Sequence, residues 1–169
     1  MGVAKFNKFG FDTLREKARQ KAEEVRGASD QELVRWLSYI GEHLCNHART
    51  ITKDGHSVGG YDDDTANLRS SIGYRIFKNG EAVKDGGFQN VTVTNKKGET
   101  VTGSGIEEAK DALERYGLAH DIPIDGWTLV IVAGMSYATY VEAKGYNVLH
   151  LTKAEMYKEI EELKKDLGL

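Results

Sequence analysis

The sequence has few of the residues that cross-link or interrupt a fold: one cysteine, Cys45, and one proline, Pro123, in 169 residues. A single cysteine excludes an intrachain disulfide and cannot alone supply a cysteine-rich zinc site. No apolar run approaches the roughly 18 residues of a transmembrane helix, and the first residues lack the continuous apolar stretch of a secretory signal. The composition therefore indicates a soluble globular protein of a reducing compartment.

A strong positive charge is also missing, since the formal net charge is −3. This balance argues against a protein that coats DNA, because such proteins are usually basic. Glycine, in contrast, is abundant, with 19 residues, or about 11% against a usual figure of about 7%. At Gly86-Gly87 and elsewhere we interpret the glycines as exposed loops and hairpins that join a modest core.

Helical spacing and capping patterns predict four helices. A capping box at Thr13 opens a helix over 13–26 with almost no apolar stripe, and a second at Ser29 opens a strongly amphipathic helix over about 30–50. The third helix covers about 105–117 and is predicted to end at Gly117. A C-terminal helix is predicted over 152–169.

Alternating apolar residues predict strands between these helices. One strand covers 72–77, and the Asn79-Gly80 pair favours a tight type I′ turn into a second strand over 81–84. Residues 85–103 are interpreted as a hairpin insertion, and Trp127–Ala133, the most apolar run, as a buried central strand.

The order of these elements predicts the fold class. It favours one α+β domain over 1–169, with a mainly antiparallel sheet packed by long N-terminal helices and a C-terminal helix. Residues 1–12 form an N-terminal arm in this interpretation.

Two clusters have the residue types of a metal site. His43 and His47 are four residues apart on one predicted helix face, but Leu44 stands where a metalloprotease helix needs glutamate. The run Asp62–Asp64 could hold a divalent ion with Asp54 or Glu42, although adjacent carboxylates in a glycine-rich loop are usually solvated.

Nucleotide and nucleophile motifs are incomplete. The segment 98–104 has the spacing of a phosphate-binding loop, but Ser104 occupies the lysine position. Cys45 lies in the middle of a predicted helix with no feature that would lower its pKa. We therefore predict no enzyme activity, no catalytic residue, no metal ligand and no cofactor.

Two segments resemble motifs of one viral protein family. Residues 65–72, TANLRSSI, are similar to the T-G-N-L-R-x-S-I signature of the head–tail joining, or neck and tail-completion (minor tail), proteins of long-tailed double-stranded DNA phages. Residues 134–145, GMSYATYVEAKG, resemble that family's Y-A-x-Y-V-E-x-G block, which follows a buried strand. Ala66 replaces the family's common glycine, and Ala-Lys-Gly replaces its Phe-Gly after Glu142.

The resemblance implies a structural protein of the virion, assembled in the host cytoplasm. It implies a homo-oligomeric ring, hexameric or alternatively dodecameric, that joins the DNA-filled capsid to the tail. The implied partners are further copies of the chain and other neck, connector and tail proteins, with no membrane. DNA would pass through the channel without sequence-specific binding, and the net negative charge suits this because a basic lining would bind phosphates.

The motif residues have expected roles. Asn67 tolerates turn geometry and can bond its own backbone, whereas Leu68 should anchor the entrance of the strand in the core. The guanidinium of Arg69 could clamp the carboxylate of Glu142 and tie the two segments together; the alternative is an exposed Arg69. We interpret two tyrosines as core or subunit-interface residues and three phenylalanines as a docking arm. The assembly residues expected are Asn67, Leu68, Arg69, Ser71, Tyr137, Tyr140, Glu142, Phe6, Phe9 and Phe11.

Two other functions stay open. One is a metal-dependent nuclease or hydrolase that uses Asp62–Asp64 with His56. Loss of a divalent-ion-dependent activity when those aspartates are mutated would favour this function. The other is a small non-viral adaptor that acts as a monomer or dimer, which the size of the particle in solution separates from a ring.

Overall fold

The computed structural model describes residues 2–3, 30–50, 64–119 and 122–141, together with 143, 149, 152–153, 155–158 and 161. The helix predicted over 13–26 lies outside the described residues. The described residues 152–153, 155–158 and 161 are helical, in agreement with the predicted C-terminal helix. No described helix is long and apolar enough to cross a membrane.

Within the described residues, strands and helices follow one another in a fixed order. They are β1 (Gly2–Val3), α1 (Asp30–Thr50), α2 (Asn67–Ser70), β2 (Ile72–Lys78), β3 (Glu81–Gly86), β4 (Thr92–Thr94), β5 (Thr100–Thr102), α3 (Ile106–Ala119), β6 (Trp127–Ala133) and α4 (Ala138–Val141).

The main sheet has the strand order β1-β6-β2-β3, and every neighbouring pair is antiparallel. The α+β class and the antiparallel sheet are therefore confirmed. The turn between β2 and β3 is also as predicted, because Asn79 and Gly80 both have positive φ, 52° and 87°. Residues 85–86 belong to β3, so the predicted hairpin insertion is shorter than 85–103: β4 and β5 form a separate two-stranded ribbon.

Helix α1 covers one face of the main sheet. Its residues Ile40, Leu44 and Ala48 are buried and belong to one apolar cluster with Ile72 and Ile131 of the strands. Their spacing of four residues places them on one face of a helix, so this segment is an amphipathic helix, as predicted. Burial of these side chains removes apolar surface from water and so stabilises the packing of α1 on the sheet.

Helix α3 covers the opposite face. Leu113 and Tyr116 of the helix pack with Phe77 and Val132 of the sheet. Because both faces are covered, β2 is buried on both sides and does not show the half-exposed alternation that its sequence suggested. The helix also continues through Gly117 to its last residue, so the prediction that Gly117 ends it is wrong.

Several glycines lie at buried backbone crossings rather than in exposed loops. A Cβ at Gly134 would lie 2.1 Å from the carbonyl oxygen of Glu108, and a Cβ at Gly103 would lie 2.1 Å from that of Ala66. Gly87, predicted to be a loop tip, is buried beside the sulfur of Cys45. The glycine content therefore reflects close packing of main chains as well as turns.

The outer edge of the main sheet is irregular at Val83. The pairing of β2 with β3 passes from Ile76–Lys84 to Phe77–Ala82, so Val83 is an extra residue in the edge strand. Such a bulge twists an edge strand and makes pairing with another chain less favourable.

Two glycine-to-alanine substitutions should have opposite effects on stability. Gly134→Ala places a methyl group against the main chain of α3 and should lower the free energy of unfolding by at least about 2 kcal/mol. Gly117→Ala places its methyl group 3.7 Å from the Phe77 ring, an ordinary contact, and should raise it by about 0.5–1 kcal/mol. Urea unfolding of both variants measures the difference; a stable Gly134→Ala protein would contradict this description of the crossing.

Candidate functional site

The first motif segment forms a single helical turn that begins at an unusual backbone position. Ala66 has φ 58° and ψ 3°, which is the left-handed conformation, and its carbonyl accepts a hydrogen bond from the amide of Ser70 at 3.0 Å. Glycine adopts this conformation at little cost. The position where the phage family commonly has glycine is thus one where this chain holds an alanine in a glycine-like geometry.

The side chain of Asn67 reaches a distant part of the chain. Its Oδ1 accepts a hydrogen bond from the amide of Ser104 at 3.0 Å, just before α3 begins. The expectation that Asn67 bonds its own backbone is therefore wrong, because the loop after β5 supplies the donor. Asn67 ties the ribbon to the helical turn α2.

The two motif segments meet at Ser71. Its carbonyl oxygen accepts a hydrogen bond from the amide of Gly134 at 2.8 Å, and its Oγ accepts one from the amide of Met135 at 3.3 Å. The same hydroxyl donates to the carbonyl of Leu68 at 2.9 Å. We call Ser71, Gly134 and Met135 the motif junction. Leu68 is buried beneath it, as predicted.

Two buried arginines lie beside the motif junction and bind each other's main chain. Arg49, at the end of α1, donates from Nε to the carbonyl of Arg69 at 3.1 Å, and Arg69 donates from Nη1 to the carbonyl of Arg49. Both residues are at most 7% exposed. The alternative of an exposed Arg69 is therefore wrong. Glu142 lies outside the described residues, so its pairing with Arg69 stays a prediction.

Arg49 also bonds two further carbonyls. Its Nη2 donates to the carbonyl of Ile72 at 2.7 Å and to that of Gly87. A planar guanidinium can serve several acceptors at once, and a cation is favourable at the C-terminal end of a helix. Arg49 was not predicted as a site residue; its place four residues after Cys45, on the apolar face of α1, was the available signal.

The aromatic residues of the second segment are on the surface. Tyr137 is 37% exposed and Tyr140, in α4, is 63% exposed. Tyr140 is therefore not a core residue, and the subunit-interface role of both tyrosines stays a prediction. Phe6, Phe9 and Phe11 lie outside the described residues.

The histidine pair faces the C-terminal helical residues. The Nε2 atom of His43 lies 3.8 Å from Oε1 of Glu155, and Nδ1 of His47 lies 3.4 Å from the hydroxyl of Thr152. Among the described residues no group of three histidine, cysteine, aspartate or glutamate side chains could hold a metal ion.

The other chemical candidates have structural surroundings. Asp64 is exposed and lies 3.9 Å from the ammonium of Lys96, while Asp62 and Asp63 lie outside the described residues. Burial raises the pKa of the Cys45 thiol to about 12, which keeps it protonated and unreactive near neutral pH. The segment 98–104 contains β5 and is not a strand–loop–helix phosphate cradle.

Replacing Arg49 by lysine should strongly destabilise the protein. Lysine cannot serve the carbonyls of Arg69, Ile72 and Gly87 with a planar fork, and each buried carbonyl left without a donor costs about 1–3 kcal/mol. We expect Arg49→Lys to lower the free energy of unfolding by about 2–4 kcal/mol. The control is Arg35→Lys on an exposed position of α1, which should change it by less than about 0.5 kcal/mol. Equal effects in urea unfolding would contradict the role of Arg49.

Acidification should destabilise the fold through His47. Burial lowers the pKa of His47 below its ordinary 6.5, against the opposing charge of Glu155 and with smaller contributions from His43 and Lys158. His47 in the unfolded chain then binds a proton more readily than His47 in the folded chain. Its contribution to the free energy of unfolding is therefore fully present above pH about 6.5 and is lost as the pH falls towards the folded pKa. His47→Gln should lose less stability than the wild type between pH about 7.5 and 5.5 in urea unfolding. An identical pH dependence would contradict this contribution.

Comparison with known proteins does not identify the chain: no family model, no curated protein and no solved structure matches it. The function must be inferred from the residues of the chain itself.

Proposed function

We propose that this chain is a structural subunit of the head–tail connection of a long-tailed double-stranded DNA phage. In this role it forms a homo-oligomeric ring in the neck of the virion and completes the joining of the filled capsid to the tail. Its partners are further copies of itself and other neck, connector and tail proteins. The protein acts by binding and not by catalysis.

The observation that carries the proposal is the motif junction. The two segments that resemble the phage family are far apart along the chain, since the partners Ser71 and Met135 are 64 positions apart. In the folded chain they bind each other directly through Ser71, Gly134 and Met135. The contact continues the antiparallel pairing of β2 with β6, in which Ile72 faces Ala133, so the two segments lie together at one end of these strands and can present one surface to a neighbouring subunit.

The chemistry of the motif junction and of the two arginines beside it supports a structural role. The polar side chains of Ser71, Arg49 and Arg69 form hydrogen bonds to main-chain groups, so they hold segments in place. Such bonds leave the geometry of the surrounding surface well defined, which a subunit with fixed neighbours requires.

The exposed tyrosines suit an interface with a neighbour. Tyr137 and Tyr140 follow the motif junction directly and place two large amphipathic rings on the surface. Tyrosine is enriched in protein interfaces because it buries a large apolar area while its hydroxyl still finds a hydrogen-bond partner.

Loss of the protein should leave capsids and tails unjoined. In a phage genome that encodes this chain, deletion of the gene should give filled heads and separate complete tails in the lysate, counted by electron microscopy, and a plasmid copy should restore joined particles. Normal virions without the gene product would contradict the proposal. So would empty or missing heads, because they would place the defect before head–tail joining.

A tyrosine variant makes this test sharper. Tyr140→Ser supplied from the plasmid should reduce the number of joined particles at least about tenfold if Tyr140 lies in a subunit interface. A tyrosine at the centre of an interface can contribute about 2 kcal/mol or more to the binding free energy. Tyr39→Ser is the matched control, because Tyr39 is 68% exposed on α1 and lies outside both motif segments. Equal yields with the two variants would argue against an interface at Tyr140.

A further inference from the structure

The ribbon formed by β4 and β5 has two open edges. The paired positions are Thr92–Thr102, Val93–Val101 and Thr94–Thr100, and no third strand joins the ribbon in the described part of the chain. Two strands alone are marginally stable, and a third strand adds substantially to their stability.

The hydrogen bonds at the ends of the ribbon show which main-chain groups point outwards. The amide of Asn95 donates to the carbonyl of Glu99, and the amide of Gly103 donates to that of Val91, both at 2.9 Å. Hydrogen-bonded and non-hydrogen-bonded residue pairs alternate along two antiparallel strands. The pair Val93–Val101 is therefore also hydrogen-bonded, and the main-chain groups of both valines point towards the partner strand. The threonines between them direct their amides and carbonyls away from the partner strand.

These outward groups are exposed. The outward threonines form one stripe, with two on each edge of the ribbon: Thr92, Thr94, Thr100 and Thr102. In the described part of the structure their main-chain amides and carbonyls have no hydrogen-bond partner. The two strands contain no charged residue, no proline and no bulge. The edge strand β3 of the main sheet, in contrast, has the bulge at Val83 and several charged side chains, which disfavour pairing.

The geometry points to a second copy of this chain as the occupant: the β4 edge of one copy pairs antiparallel with the β5 edge of the next. The register inside the ribbon can be repeated between copies, with Thr94 opposite Thr100 and Thr92 opposite Thr102. In this register the threonines provide the bonded pairs between copies, and their side chains continue one stripe. No charge faces a like charge.

The two edges favour this head-to-tail pairing over a two-fold one. If β5 paired with β5 of the second copy, both β4 edges would keep their amides and carbonyls unpaired. Pairing β4 with β5 uses a different edge of each copy, and a closed ring of such contacts leaves no edge open. The inference needs only a second copy of the chain, so it stands or falls separately from the role in head–tail joining.

Disulfide formation between two copies that each carry one introduced cysteine tests the pairing. Copies with Thr94→Cys are mixed with copies carrying Thr100→Cys under oxidised glutathione, which is reduced as the two thiols are oxidised to a disulfide. Native Cys45 stays in place, because it is buried and its pKa is about 12. We expect a disulfide-linked dimer in the mixture and at least about ten times less in either variant alone, since neighbouring residues of a bonded pair have Cα atoms about 5.5 Å apart.

Two controls separate this pairing from the alternatives. Thr94→Cys mixed with Lys97→Cys tests for random collision, because Lys97 is exposed at the tip of the ribbon and outside the ladder. Val101→Cys alone would form a dimer if β5 paired with β5. Efficient linkage in either control, or no linkage of Thr94→Cys with Thr100→Cys, would overturn the inference.

A proline variant provides a second readout. Thr100→Pro removes an outward amide and leaves the inward bonds of the ribbon, whereas Thr100→Val keeps the amide. In analytical ultracentrifugation Thr100→Pro should weaken self-association at least about tenfold, and Thr100→Val should change it little. A wild-type chain that stays monomeric up to about 1 mM would also overturn the inference.

Discussion

The fold depends on how the carbonyl groups at the end of α1 find donors. The last carbonyls of a helix have no partner within the helix, and here the carbonyl of buried Arg49 lies beside α2. Arg69 donates to the carbonyl of Arg49, and Arg49 in turn donates to carbonyls of α2, β2 and the turn after β3. Helix end, helical turn and strand are thereby held in one arrangement, on which the position of the motif junction depends.

Main-chain contacts without side chains complete that arrangement. Gly134 lies against the backbone of α3, and Gly103 lies against the backbone of the turn at Ala66. Because Gly134 belongs to the motif junction, its close approach to α3 places that junction directly against the helix. The same requirement explains the left-handed alanine: the segment must turn sharply before α2, and the surrounding bonds hold it there although its residue is not glycine.

Local patterns in the sequence predicted the elements well and the tertiary contacts poorly. Three elements depend mainly on residues that are close together along the chain, and the prediction was confirmed for each: helix α1, the Asn79-Gly80 turn and the apolar strand β6. Burial of β2 on both faces depends on α3, which is distant along the chain. Arg49 was overlooked because a basic residue at a helix end usually indicates solvent, and only the fold shows which carbonyls surround it.

Helix α1 and strand β2 run in opposite directions and are fastened to each other at both ends. Asp30, at the start of α1, binds the ammonium of Lys78 at the end of β2, while Arg49 binds the carbonyl of Ile72 at its beginning. A helix of 21 residues is about 30 Å long, so this pair extends across much of the domain. The two attachments together set the direction of α1 relative to β2, so the beginning of β2 beside Arg49 and the turn at Asn79 belong to one helix–strand unit.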